Sequence, residues 1–219
     1  MSIIFSDTFT TASDTPLTSH TPDIGTSWEV FISHATNFFE VRGADVLRSD
    51  ADTTSSKMAA NSAPSPTTAD VDVEIAIPSV LGTGTDDPIG LFARAVDNSN
   101  YYFILIHQSA ADPDIRICKC DAGTISTLAS GNMTLANADV IKFELRGITL
   151  KLYQNGVERL SVTDSTFSAA GKCGVLMGNF VTSTDDINST WVMDDYSVTE
   201  VPSSGAVIKM VTQAYRAAL

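Results

Sequence analysis

Between Val140 and Val162 the chain reads VIKFELRGITLKLYQNGVERLSV, with apolar residues on every second position. Ile141, Phe143 and Leu145 alternate with Lys142, Glu144 and Arg146; beyond Gly147, Ile148, Leu150 and Leu152 alternate with Thr149, Lys151 and Tyr153. A period of two puts one face of a strand on a core and the other in water, whereas a helix needs a period near 3.6. The segment therefore predicts antiparallel strands. Two turns compete to join them. A two-residue Asn155-Gly156 turn, run on regularly, sets Leu152 against Arg159 and Leu150 against Ser161. A three-residue loop Gln154–Gly156, with a bulge at Gly156, sets Leu152 against Glu158, Leu150 against Leu160 and Ile148 against Val162. Two of the latter three pairs are apolar on both sides, so the sequence predicts the three-residue loop.

The same short-strand grammar runs through most of the chain. Strands are predicted over Ile3–Phe9, Trp28–Ile32, Phe38–Leu47, Asp70–Ile77, Ile89–Val96, Tyr101–Gln108, Ile115–Cys120, Thr124–Ala129, Gly174–Asn179 and Trp191–Val201, with turn-rich pieces between them. Thr10–Gly25 and Ser49–Ala69 read as loops, the second with room for a short strand. Many short strands without helical periodicity predict an all-β, two-sheet antiparallel sandwich or jelly roll over residues 1–201. With 219 residues the chain is long enough for one sizeable core.

The formal charge of -13 argues against nucleic acid and anionic membranes as partners, since both select basic surfaces. Cys118 and Cys120 lie two apart in a strand-like run and so share a face. They cannot readily bridge each other, and with Cys173 they match no zinc spacing. All three are expected as small buried residues. The N-terminal MSIIFSDTFTT lacks the basic and apolar regions of a signal peptide, which suggests a cytosolic chain or one carried within a larger particle.

Residues 202–219 differ in kind. Pro202 to Gly205 reads as a linker, and Val207, Met210, Val211, Ala214, Tyr215 and Ala218 then form an apolar stripe at helical spacing. A helix this short is marginal alone in water. It must dock, either on its own domain or on another subunit or particle, and the stripe residues are the expected assembly contacts.

Three stretches carry a family resemblance: GLFARAVDNSNYYFILI, IKFELRGITLKLYQNGVERLSVTDSTFSAAGKCGVLMGN and MDDYSVTEV. The D-N-x-x-Y loop, R-G-x-x-L-x-x-Y-x-N-G-V and D-S-T-F-x-x-G-x-x-G resemble the laminin-G-like branch of the concanavalin A-like lectin/glucanase jelly rolls, over roughly residues 3–201. FSDTF also looks like the first strand of those domains. The resemblance implies a fold shared by sugar binders, hydrolases, adhesion modules and virion proteins, so it specifies activity poorly. An acidic, Ser/Thr-rich chain of this type with an appended helix is similar to a bacteriophage head or tail component. It is expected to be a non-enzymatic virion structural or decoration protein, homo-oligomeric and in contact with other virion proteins, with a glycan-binding or host-adhesion role as the alternative.

The resemblance also nominates residues. Terminal strands lie side by side in such jelly rolls, so Asp7 is expected to meet Asp194 and Asp195 and to hold a structural calcium ion, which takes six to eight oxygens. Asp185 and Asp186 form a second acidic cluster. Asp70, Asp72 and Glu74 alternate on one predicted strand, where glucanases of this superfamily carry E-x-D-x-E. Retaining hydrolysis needs two carboxyl groups about 5–5.5 Å apart, but Asp70 is short for the motif and no Trp is near it in sequence, so a solvated strand face is expected. Arg94, Tyr102 and Trp191 are the candidate carbohydrate contacts, with His107 on the opposite strand face from Tyr102. No phosphate loop, G-x-S-x-G or H-E-x-x-H is present.

Overall fold

The computed structural model describes residues 1–32, 39–43, 46–49, 58–78, 88–107, 114–177 and 192–202. Its strands are β1 (Ser2–Asp7), β2 (Thr15–Pro16), β3 (Ser27–Ile32), β4 (Phe39–Arg42), β5 (Val46–Ser49), β6 (Met58–Ala63), β7 (Val71–Ile77) and β8 (Ile89–Asp97). They continue as β9 (Asn100–His107), β10 (Asp114–Asp121), β11 (Thr124–Asn132), β12 (Asp139–Arg146), β13 (Thr149–Gln154), β14 (Val157–Thr163), β15 (Lys172–Met177) and β16 (Asp194–Glu200). A six-stranded sheet runs β1-β16-β7-β12-β13-β14, and a seven-stranded sheet runs β11-β10-β9-β8-β15-β6-β3. A small third sheet, β2-β4-β5, joins the expected two. The C-terminal helical stripe, Trp191, Asp185 and Asp186 lie outside the described residues.

Alternation decides what faces inward. In β7 and β12, Val71, Val73, Ile75, Ile141, Phe143 and Leu145 are buried while the residues between them are half-exposed. They meet Leu91, Ile104, Ile117 and Val175 of the other sheet in one core. Burying each such side chain contributes about 1.5–3 kcal/mol. The β8 and β9 strands depart from this pattern. All of Ile89–Ala95 and Tyr101–Ile106 are buried, as in strands covered on both faces. Phe92, Tyr101, Phe103, Leu105, Cys118, Cys120 and Leu176 form a second apolar cluster on the outer side of the seven-stranded sheet. All three cysteines are free and buried, and Cys118 and Cys120 share that outer face.

The β13–β14 hairpin corrects the sequence reading. Gln154 pairs with Val157, leaving a two-residue turn of Asn155 and Gly156 with φ of 52° and 76°. The bulge comes later. Tyr153 pairs with Glu158 and Leu152 with Leu160, so Arg159 is the extra residue. Leu150 then faces Val162, and Ile148 sits exposed in the preceding turn. The apolar pairing that argued for a longer loop is achieved inside the strand, while Asn-Gly keeps its preferred turn. One further boundary changes, since Phe38–Leu47 is split into β4 and β5, while Ser49–Ala69 carries the short strand its reading allowed, β6, between β15 and the edge strand β3.

Candidate functional site

Asp7 is buried in the first strand and is already occupied. Its Oδ1 accepts from the Phe9 amide at 2.8 Å and faces His20 Nε2 at 2.9 Å, and its Oδ2 accepts from the Trp28 indole at 2.6 Å. Trp28 in turn packs between Phe5 and Tyr196, each with ring centroids 4.9 Å away. Asp7 therefore anchors an aromatic cluster. Its ladder partner is Tyr196, whereas Asp194 pairs with Ala76 and accepts from the Asp195 amide. The expected Asp7–Asp194–Asp195 calcium set is not assembled: among the described residues no group of three or more His, Cys, Asp or Glu side chains is placed to hold a metal.

Arg94 and Tyr102 do converge, but inside the molecule. Arg94 is 1% exposed and Tyr102 is fully buried. The Arg94 guanidinium donates to the carbonyls of Ala69 at 2.8 Å, Gly147 at 2.7 Å and Phe167 at 3.1 Å, and reaches Asp70 at 3.5 Å. Burial lowers its pKa, against the opposing pull of Asp70. Tyr102 Oη donates to Asp164 Oδ1 at 2.5 Å and accepts from the Phe167 amide at 3.0 Å. The expectation that these two residues contact carbohydrate is corrected here: both are internal cross-links that fasten the 164–167 turn to the seven-stranded sheet. The His107 side chain is outside the description.

The three alternating carboxylates also separate. Asp70 precedes β7 and accepts from the Gly147 amide at 2.8 Å as well as from Arg94. Of the three, Asp72 and Glu74 alone share the outer face of β7, and they belong to two rows that cross all six strands and are polar except at Ile3. One row is Ser6, Ser197, Glu74, Lys142, Tyr153 and Glu158, each paired with the next. The other is Ile3, Thr199, Asp72, Glu144, Lys151 and Ser161.

Ion pairs hold this surface in place. Arg146 reaches Asp72 at 2.7 Å and Glu144 at 3.6 Å, Lys142 reaches Glu144 at 3.3 Å, and Lys151 reaches Glu158 at 2.8 Å. Tyr153 Oη donates to Glu144 at 3.3 Å, with Lys142 Nζ 4.4 Å from its ring centre. Every cation of the two rows thus has a carboxylate partner. Glu74 stands apart, with no hydrogen bond or ion pair among the described residues. Burial raises its pKa, Lys142 opposes that rise, and Asp72 adds to it. Sequence alternation placed Glu74, Lys142 and Tyr153 outward, but nothing local could reveal that Asp72 is paired and Glu74 is not, because the pairing side chain comes from β12.

The fold built this way is an all-β antiparallel sandwich, and similar solved structures share it. One is the carbohydrate-binding module CBM66 from Bacillus subtilis, with TM-score 0.58, 19% identity, and coverage of 79% of this chain and 95% of that one. Another is a Bacillus subtilis protein of unknown function with a galectin-like fold, with TM-score 0.61, 12% identity and coverage of 89% and 97%. The exoplasmic/lumenal domain of VIP36, in a form bound to Ca2+ and mannose, gives TM-score 0.61, 11% identity and coverage of 91% and 92%. At these identities the likeness is one of fold. No family model and no curated protein matches the sequence.

Proposed function

We propose that the chain is a non-enzymatic carbohydrate-binding module whose ligand lies on the outer face of the six-stranded sheet, over Glu74, Lys142 and Tyr153. The observation that carries this reading is the cross-strand row itself: an unpaired acceptor, a cation and an aromatic ring side by side on rigid strands. A sugar offers hydroxyl donors to a carboxylate, hydroxyl acceptors to an ammonium or serine, and a C–H face to an aromatic ring. Groups fixed before binding lose little freedom when the ligand arrives. The similar folds of CBM66 and of mannose-bound VIP36 support the same reading. Because Lys142, Lys151 and Arg146 are each neutralised by a carboxylate and the whole chain carries -13, the ligand is a neutral glycan rather than an anionic one.

A panel of immobilised neutral and acidic glycans tests this, read with added Ca2+ and with chelator. Binding to a neutral glycan is expected, weakened about tenfold or more by Tyr153→Ala and by Glu74→Gln, a loss of about 1.4 kcal/mol or more, with melting temperatures near the parent's. Failure of the parent on every neutral glycan, or variants that bind as well as the parent, overturns the site. Structural calcium stays a proposal supported by the Ca2+-bound form of VIP36 and by no carboxylate set among the described residues; equal binding and melting with chelator removes it. The proposed setting, a phage virion with oligomeric display, rests on the sequence resemblance, and mass spectrometry of purified particles tests it.

A further inference from the structure

Asn155-Gly156 is the chain's one Asn-Gly pair. Such a pair is chemically labile in a flexible chain, because a backbone nitrogen with no Cβ beside it attacks the preceding carboxamide with little hindrance. Here it forms the tip of the β13–β14 hairpin, and both residues are exposed to water. Among the described residues no acceptor takes the Gly156 N–H, and the space around its α-carbon is open. The nucleophile is free.

The electrophile is not. Asn155 Oδ1 accepts from the Val140 amide at 2.9 Å, and Asn155 Nδ2 donates to Asp139 Oδ1 at 2.7 Å. The Asn155 backbone amide adds a bond to the Val140 carbonyl at 2.9 Å. The receiving carboxylate is itself fixed. Asp139 is 5% exposed, and its Oδ2 accepts from the Ala136 amide at 2.7 Å and from Gln154 Nε2 at 2.5 Å. The oxygen and the nitrogen of the carboxamide are thus both tied to the start of β12. Swinging its carbon towards the Gly156 nitrogen must break both ties.

We infer that Asn155 is a deamidation site which the clasp of Asp139 and Val140 holds closed, so that conversion waits on local opening of the hairpin tip. In the reaction the Gly156 nitrogen bonds to the side-chain carbonyl carbon of Asn155 and gives up its proton. The carbon–nitrogen bond of the carboxamide breaks, and ammonia leaves with that proton. Water then opens the cyclic imide at either carbonyl, giving aspartate or isoaspartate, and no oxidant or reductant takes part. The product cannot close the clasp again. An aspartate in place of Asn155 has no N–H for Asp139, so two carboxylates face each other where a 2.7 Å hydrogen bond stood. Burial raises the pKa of Asp139, but bonds from Ala136, Asn155 and Gln154 bring it below its usual value; conversion removes one of those three. Isoaspartate adds a backbone carbon to a two-residue turn and disturbs the pairing of Gln154 with Val157.

Peptide mass spectrometry of the full chain kept at mildly alkaline pH reads the conversion. The folded chain is expected to convert at Asn155 at least about tenfold more slowly than the same chain unfolded in urea; equal rates overturn the proposal. Asp139→Ala, checked for a cooperative melt, should convert about threefold or more faster than the parent. A folded variant as slow as the parent overturns the clasp. If Asp139→Ala does not fold, Asp139→Glu, which keeps the charge but moves the acceptor, is held to the same two outcomes. Asn155→Asp supplies the product directly and is expected to melt below the parent; melting at or above the parent's temperature overturns the proposed effect of conversion.

Discussion

Asp164 shows how much one carboxylate can organise. Its oxygens accept from the Tyr102 hydroxyl at 2.5 Å, Lys119 Nζ at 3.0 Å and the Thr166 amide at 2.8 Å. Burial alone raises its pKa, but the bonds from Thr166, Tyr102 and Lys119 outweigh that and hold it well below the usual carboxylate range. A carboxyl group whose pKa is depressed on folding stabilises the fold above its unfolded pKa of about 3.9, and that stability is lost as pH falls towards the folded value. Asp164→Ala should therefore cost about 2–3 kcal/mol near neutral pH in urea unfolding, and the gap from the parent should narrow below about pH 4. A gap just as wide at pH 3 would mean that packing, and not the ionised bonds, carries the effect. Asp164 also explains why the family resemblance was legible while the site was not. D-S-T-F supplies Asp164 and Phe167, R-G supplies the Gly147 carbonyl for Arg94, and N-G supplies Asn155, whose side chain accepts from the Val140 amide at 2.9 Å. The residues that mark the fold in sequence are those that fasten its turns. The proposed ligand face carries no such signature, because Glu74, Lys142 and Tyr153 come from three strands joined only by register.

At the level of elements, alternation revealed strands wherever one face is wet and failed where both faces are dry. The β7, β12 and β13 strands were legible for that reason. In β8 and β9 the runs IGLFARA and NYYFILI show that strands exist, but not which face meets which layer. The β6 strand, MAANSA, is small and polar in composition, yet it sits between β15 and β3 with Asn61 and Ser62 buried. Its neighbour β15 approaches it closely at Gly174. A Cβ on Gly174 would lie 1.9 Å from the Ala60 carbonyl oxygen and 2.7 Å from the Phe92 ring. Gly156 at the hairpin tip has open space around it and a φ of +76°. Gly156→Ala should thus cost only backbone strain, about 1–2 kcal/mol. Gly174→Ala must also displace a neighbouring strand or Phe92, and should cost more than about 2 kcal/mol or prevent folding. Chemical denaturation of the two variants checks the order; the reverse ranking would mean that β6 and β15 can part without penalty.

Across the whole molecule the last described strand is among the first the sheet requires. The β16 strand lies between β1 and β7, so the N-terminal strand joins the six-stranded sheet mainly through residues that come almost 200 positions later. Its Tyr196 closes the aromatic cluster of Phe5 and Trp28, and Val198 pairs with both Phe5 and Val73. Loop closure over such separations is expensive before native contacts form, so refolding on the millisecond-to-second scale is expected, as for other sandwiches. Truncation gives a sharper consequence. A chain ended after Pro202 keeps every described strand and should unfold in one cooperative transition. A chain ended after Met193 loses β16, leaves β7 as an open edge and, among the described residues, leaves β1 with the one bridge from Ser6 to Ile24. It should show neither a cooperative transition nor the near-ultraviolet dichroism of a packed Trp28. A cooperative melt from the shorter chain would show instead that the seven-stranded sheet and β7-β12-β13-β14 form a self-sufficient core, to which both termini are added last.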